Sequence, residues 1–399
     1  MEKCGLLVCL LGVMLALPAL GAGLEAGVAV GDITPAPDQL SISDRPACEG
    51  VHDPLSVRAL ALRANKVTVV LAAVDVIGMQ GHALRELRRQ ATQPGLPPEH
   101  IFLCATHCHS APDVMGVWNG VPPAYLAGFN RALVATIKQA VANLQPARAA
   151  AASFELPPKT VINWRDPGIV DRTGSVLMLK DAQGRAIATL VNFACHAEVM
   201  GTHQPMITAD FPGYLRASLE QALGGKATFI NGALGGMVSP DNVYDGKEVR
   251  TWEETERIGK AFAGAALAAL RKAEPVSGTL SVKVRPMVLP VDNPAFVELG
   301  KKVNRQDMIE QRLQVEIAEV RLGSVQMVTI PGELLPRLGL ELRGMMTGKC
   351  NFVLGLTNDE LGYLIPADDF REGQYEEKWS PGPNATKMLM REYQALLGK

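Results

Sequence analysis

The stretch that most restricts the fold is an apolar run, Ile101-Phe102-Leu103-Cys104-Ala105, that ends in Thr106-His107-Cys108-His109-Ser110. Upstream, Val67 to Val76 is β-rich, and His82 to Thr92 carries helical periodicity. A strand, a helix and a second buried strand spaced this way predict a parallel crossover. Open α/β sheets place their chemistry beyond the carboxyl ends of such strands. His107 and His109 stand at that end. Alternate side chains of a strand share a face, so the spacing predicts that both imidazoles point the same way. A lone histidine on an apolar strand would be read as a core residue. Two on one face suggest a metal centre, and a second apolar run, Ala188 to Cys195, ends on His196.

The remaining periodicities extend the same architecture. Strands are expected at Gly27 to Pro35, Leu55 to Leu62, Ala147 to Leu156, Ser175 to Lys180, Ala186 to Cys195 and Ala227 to Asn231. Later β-rich stretches cover Gly278 to Leu289, Val315 to Ile330 and Asn351 to Leu356. Helices are expected at Ala124 to Leu144, Phe211 to Leu223, Gly332 to Met346 and Ala385 to Leu397. Another, Trp252 to Lys272, opens with the capping box Thr251 to Glu254. No internal repeat or low-complexity linker is visible. With 399 residues, 47% hydrophobic, the chain can bury a large core. The expected fold is α/β, one large domain of mixed β-sheets flanked by helices.

Lys3 followed by the apolar run Gly5 to Leu20 and small residues at Ala19, Gly21, Ala22 and Gly23 reads as a signal peptide over 1–22. The run is short for a membrane span. The expectation is an exported protein, periplasmic or secreted, with 23–399 as the mature domain. Cys48, Cys104, Cys108, Cys195 and Cys350 then remain, an odd number and no disulfide framework. Strand alternation turns Cys108 and Cys195 away from their neighbouring histidines, so both read as small buried hydrophobes. A formal charge of −2 with no long basic run excludes nucleic acid as a partner.

Other residues bear two readings each. Glu333, after Pro331-Gly332, can sit in a first helical turn and meet the helix dipole, or complete a His₂Glu zinc set. Tyr363 and Tyr375 can be half-buried aromatics with wet hydroxyls. Ser239, before Pro240, can belong to a simple turn. No Gly-x-Ser-x-Gly elbow exists, which argues against a serine α/β-hydrolase.

Taken in order, the motifs resemble those of the neutral/alkaline, non-lysosomal ceramidases. They are Gly31-Asp32-Ile33-Thr34-Pro35, Gly50-Val51-His52-Asp53-Pro54-Leu55, Ala105-Thr106-His107-Cys108-His109-Ser110, Asn192-Phe193-Ala194-Cys195-His196, Thr208-Ala209-Asp210-Phe211-Pro212-Gly213, Val238-Ser239-Pro240 and Pro331-Gly332-Glu333. The resemblance implies one zinc ion held by His107, His196, Glu333 and Tyr363. It implies that His109 contacts the reacting carbonyl, that Tyr375 lies on the substrate side, and that Ser239 is important for activity. The family's Asn-Arg pair stands here as Asn163-Trp164-Arg165, so Arg165 is the candidate for the substrate-side arginine. The family's C-terminal β-sandwich is expected to be absent. The implied activity is hydrolysis of an N-acyl amide, ceramide or a related lipid, with peripheral membrane contact left open. A smaller amide, ester or lactone is the alternative substrate. A non-catalytic metal- or lipid-binding envelope protein is the alternative of another class.

Overall fold

Strict period-two burial sorts the strands onto two apolar faces. In Val67–Val74, Val69, Leu71 and Ala73 enter one core, while Val70, Ala72 and Val74 enter another. In Ile101–Ala105, Phe102 and Cys104 go one way, and Ile101, Leu103 and Ala105 the other. Both faces are covered, which is why these strands read as continuous apolar runs. The computed structural model describes residues 23–36, 48–118, 120–201 and 205–399. The expected signal segment lies outside the described residues.

Three sheets repeat one connection. In the first, Glu25–Asp32, Ser56–Ala64 and Val67–Val74 run antiparallel. Helix α1 (Gly81–Ala91) then crosses over, so that Ile101–Ala105 pairs parallel with Val67–Val74. Helix α2 (Pro123–Ala142) follows, and Gln145–Pro146 returns to pair with the first strand. The second sheet repeats this order with Arg148–Glu155, Thr173–Lys180, Ala186–Phe193, helix α3 (Phe211–Leu223) and the parallel strand Lys226–Asn231. Helix α4 (Trp252–Leu270) and the edge strand Glu274–Val276 close it. The third sheet has Leu280–Pro290, Arg312–Leu322 and Val325–Thr329 antiparallel, with Cys350–Leu354 added parallel. Among its helices are α5 (Pro294–Lys302), α6 (Gln306–Ile309), α7 (Pro336–Met345), α8 (Tyr375–Lys378) and α9 (Pro383–Leu397). This topological repetition was invisible in the sequence because the units share connectivity and burial pattern rather than residue identity.

The sheets turn one face each toward a shared core. Leu60, Leu71 and Phe102 of the first meet Leu177, Leu190 and Ile230 of the second and Val320, Met327 and Phe352 of the third. Each such side chain contributes about 1.5–3 kcal/mol of burial. Helices cover the outer faces, so the chain is a mixed α/β domain as expected.

Two expectations change. Gly332 to Met346 is not one helix. Glu333–Leu334 is a short strand paired in parallel with Tyr363–Leu364, and α7 begins only at Pro336, which is placed where a missing N–H costs nothing. Glu333 therefore lies outside the first helical turn. Val315 to Ile330 is a hairpin, Arg312–Leu322 and Val325–Thr329, turned at Gly323 with φ +54°. All five described cysteines are free, and no described helix is long and apolar enough to cross a membrane.

Candidate metal centre

Each sheet sends the end of a strand to the same place. The segment after Ala105 continues the parallel ladder, with Thr106 N donating to Val74 O at 2.9 Å and Cys108 N to Val76 O at 3.1 Å. His107 itself takes a left-handed conformation, φ +61°, so the strand has ended and pleat alternation is not what aims the two rings. They nevertheless share one cavity, while Cys108 Sγ turns away to the carbonyl of Thr208 at 3.0 Å. Asn231, at the end of a second-sheet strand, ties the two histidine-bearing ends together. Its Nδ2 donates to Thr106 O at 3.0 Å and to Cys195 O at 2.7 Å, the residues just before His107 and His196.

The hydrogen bonds fix the tautomers. His107 Nδ1 lies 2.6 Å from the carbonyl of Ile77, and His196 Nδ1 lies 2.9 Å from that of Val238. A carbonyl can only accept, so both rings carry a proton on Nδ1 and, when neutral, direct a bare Nε2 inward. Those Nε2 atoms stand 3.7 and 3.2 Å from Glu333 Oε2. All three side chains are buried, and His196 Nε2 and Glu333 Oε2 have no hydrogen-bond partner. Lone pairs facing lone pairs in a low-dielectric interior are stabilised by a positive charge between them, a metal ion or a proton. Burial drives His107 down to about 3. Burial opposes charge on His196 too, but Glu198 and Glu333 carry it up to about 9, so a proton there is the alternative source of that positive charge. Two nitrogens and one carboxylate oxygen, with the second ring nitrogens tied to backbone, are a donor set that fits zinc.

His109 joins the cluster. Ligand atoms of His107, His109 and His196 lie within 4.8 Å of one another, which makes His109 nearer to a ligand position than the sequence implied. Tyr363 is brought beside Glu333 by the parallel register Glu333↔Tyr363. Its hydroxyl lies 3.3 Å from Met237 Sδ, and burial, then Glu333, push its pKa well above the ordinary value. Gly362 makes this register attainable: its φ is +65°, and a Cβ there would overlap the carbonyl of Trp379.

The other expected residues have distinct settings. Ser239 Oγ lies 2.6 Å from Glu198 Oε1, whose other oxygen is 3.4 Å from His109 Nδ1. Glu198 thus connects the serine to the imidazole, and sequence reading missed it because nothing in Ala197-Glu198-Val199 marks it. The Thr208-Ala209-Asp210 motif explains its placement: Asp210 accepts from Val199 N and Met200 N at 3.1 and 3.0 Å, fixing the loop that carries Glu198. Tyr375 lies at the cavity rim, 58% exposed.

Arg165 does not face this cavity among the lining residues. Its guanidinium is engaged by Asp369 at 3.1 Å, Glu377 at 2.8 Å and Glu376. The expected substrate-side arginine is instead an anchor for the helix that begins at Tyr375, because three carboxylates gather around it.

The cavity opens to solvent, and its empty space, counted out into that opening, is about 730 Å³. Beyond the polar cluster its walls are largely apolar, from Met115, Val117 and Trp118 on one side and Phe296, Leu299 and Met308 on the other. The first wall is held by Asp113, whose carboxylate accepts from the backbone N–H groups of Gly116, Val117, Trp118 and Gly120 at 2.8–3.3 Å. The second comes from α5 and α6, which the sequence periodicity did not reveal because both are short.

No protein-family model and no curated protein sequence matches the chain. Solved structures do. A neutral ceramidase from Pseudomonas aeruginosa superposes with a TM-score of 0.77 at 19% identity, over 94% of this chain and 75% of that one. A ceramidase complexed with C2 gives a TM-score of 0.77 at 18% identity, over 94% and 74%. At such identity the likeness is one of architecture, and the fold of this chain is that of the neutral ceramidases.

Proposed function

We propose that the protein is a zinc-dependent hydrolase of an N-acyl amide, with an acylated lipid or a related amide as substrate. The observation that carries this reading is the pair of imidazoles locked by backbone carbonyls, with bare Nε2 atoms facing Glu333 in a buried site. His107, His196 and Glu333 would hold the ion, with Tyr363 completing the set. When bound, zinc lowers the pKa of a coordinated water toward neutrality and polarises a carbonyl oxygen.

The chain's own groups supply the proton handling. Amide cleavage requires a proton to leave the attacking water and another to reach the departing nitrogen. His109 lines the cavity and is backed by Glu198. Its ring accepts the first proton, with the carboxylate stabilising the imidazolium, and returns it to the amine as the C–N bond breaks. The Tyr375 hydroxyl at the rim is a donor for the developing oxyanion. Ser239, donating to Glu198, orients that carboxylate; this favours a supporting role over a nucleophilic one. Apolar walls accept the hydrocarbon part of the substrate and exclude water.

Purified protein is expected to retain zinc and to hydrolyse N-acyl amines. Chelation should abolish turnover and zinc should restore it. Turnover indifferent to chelation would sink the proposal. Glu198→Gln is expected to lower kcat by about 10–100-fold while metal content stays at the wild-type level, because it acts on His109 and not on the ion. Metal analysis beside steady-state kinetics checks it, and an unchanged kcat would remove Glu198 from the mechanism.

A smaller amide or ester is the second reading. It is favoured by the engagement of Arg165 with three carboxylates, which keeps its guanidinium from lining the cavity. A panel of short and long acyl chains separates the two, since a lipid substrate predicts rates that fall as the chain is shortened. Export through residues 1–22 belongs to the same proposal, and N-terminal sequencing of the mature protein tests it.

A further inference from the structure

The apolar cavity has a polar spot that the mechanism does not use. Glu360 lines it, with Oε1 accepting from Gly362 N at 2.9 Å and Oε2 buried without a hydrogen-bond partner. Gln80 lines it as well. Its Nε2 donates to the carbonyl of Met115, and its Oε1 is likewise buried and unpartnered. Both side chains lie close to Met115, Gln80 at its carbonyl and Glu360 by its sulfur: a Cβ built on Gly78 would lie 2.7 Å from Glu360 Cγ and 2.8 Å from Met115 Sδ. The neighbouring cation does not satisfy them. Arg305 is committed to Asp359, at 2.7 and 2.6 Å, and to Asp307 at 2.8 Å. Two buried oxygens left without a donor cost about 1–3 kcal/mol each, so such a pair in a binding cavity points to a ligand group that completes it.

We propose that Glu360 and Gln80 form a subsite that receives a hydrogen-bond donor, a hydroxyl or an ammonium, carried on the substrate's chain away from the bond that is cleaved. This rests on reading the cavity as the substrate site and specifies the class of substrate it takes. The preferred substrate is then an N-acyl compound whose chain bears a polar group.

The test is calorimetric binding of straight-chain carboxylates, over a series of lengths, to the zinc-loaded protein. Each length is offered with a methyl, a hydroxyl or an ammonium terminus. At the matching length a donor terminus is expected to bind roughly tenfold more tightly than methyl, the worth of one good buried hydrogen bond. A gain with both termini identifies hydrogen bonding, a gain with hydroxyl alone identifies a neutral Glu360 in the subsite, and a gain with ammonium alone identifies a charged one. The preference should vanish in Glu360→Leu and shrink in Gln80→Leu, with folding monitored by thermal unfolding. Glu360→Gln keeps an acceptor for Gly362 N–H and aims an amide N–H₂ inward, so it should shift preference toward a terminal ether. Methyl-ended chains that bind as well as the others at every length, or a preference that survives both leucine substitutions, overturn the subsite alone. If no chain of any kind binds, the reading of the cavity as the substrate site fails, and the subsite with it.

Discussion

His196→Ala is expected to lose bound zinc and catalytic turnover together, with kcat/KM down by at least about a hundredfold, the scale of losing one electrostatic contact to a transition state. The residue is fully buried and makes no other chemistry available to the protein. Its Nδ1 is fixed to Val238 O, which holds Nε2 toward Glu333, and alanine supplies no donor at that place. Removal takes away the nearer of the two imidazoles facing Glu333, at 3.2 Å, and leaves His107 at 3.7 Å. Apo protein should therefore unfold at a lower temperature than apo wild type. Zinc should raise the melting temperature of the wild type, by mass action on the folded state, and leave the mutant unmoved. A mutant that keeps stoichiometric zinc would refute the ligand assignment, whatever its activity.

Arg165→Met is expected to cost about 3 kcal/mol of stability, the low end for breaking a buried ion pair, because Asp369 stays partly open to solvent. Glu376 and Glu377 are 6% and 2% exposed at the side chain, so both would be left as buried carboxylates without a counter-charge. The pH dependence follows from their direction. Burial already raises Glu376 above its ordinary value against the pull of Arg165, and removing the guanidinium raises it further. A carboxyl whose folded pKa exceeds its unfolded one stabilises the fold below the unfolded pKa and loses that contribution as pH rises through the folded value. The deficit of the mutant should accordingly be smaller in mildly acidic buffer than at neutral pH, as denaturant unfolding at the two conditions would record. Because the ion cluster anchors the turn that carries Tyr375, KM should rise as well. A mutant as stable as wild type at neutral pH would contradict the account.

The difference between Arg165 and His107 shows where sequence reading stops. His107 was identified because strand periodicity is local: five apolar residues and an abrupt polar ending announce a carboxyl strand end. Even so, strand alternation does not aim its ring, since the backbone at His107 has already left the pleat. Arg165 was assigned by position in a motif, yet its partners lie more than two hundred residues away. Glu198 and Asn231 have no local signature at all. One is recognised through Ser239 and His109, the other through carbonyls on two separate strands.

Sequence alone determined most of the element types, the first parallel crossover, the absence of a Gly-x-Ser-x-Gly elbow and which side chains carry ligand chemistry, because each is set by neighbours within a few positions. Tertiary structure decided the rest. It revealed that one connection is used three times, brought His107, His196 and Glu333 from three different sheets onto one point, and gave Glu333 a strand in place of a helix. It also consumed Arg165 and exposed the unpartnered oxygens of Glu360 and Gln80. Those outcomes depend on which distant backbone groups and charges meet when the three sheets close on their common core, and no window along the chain contains that information.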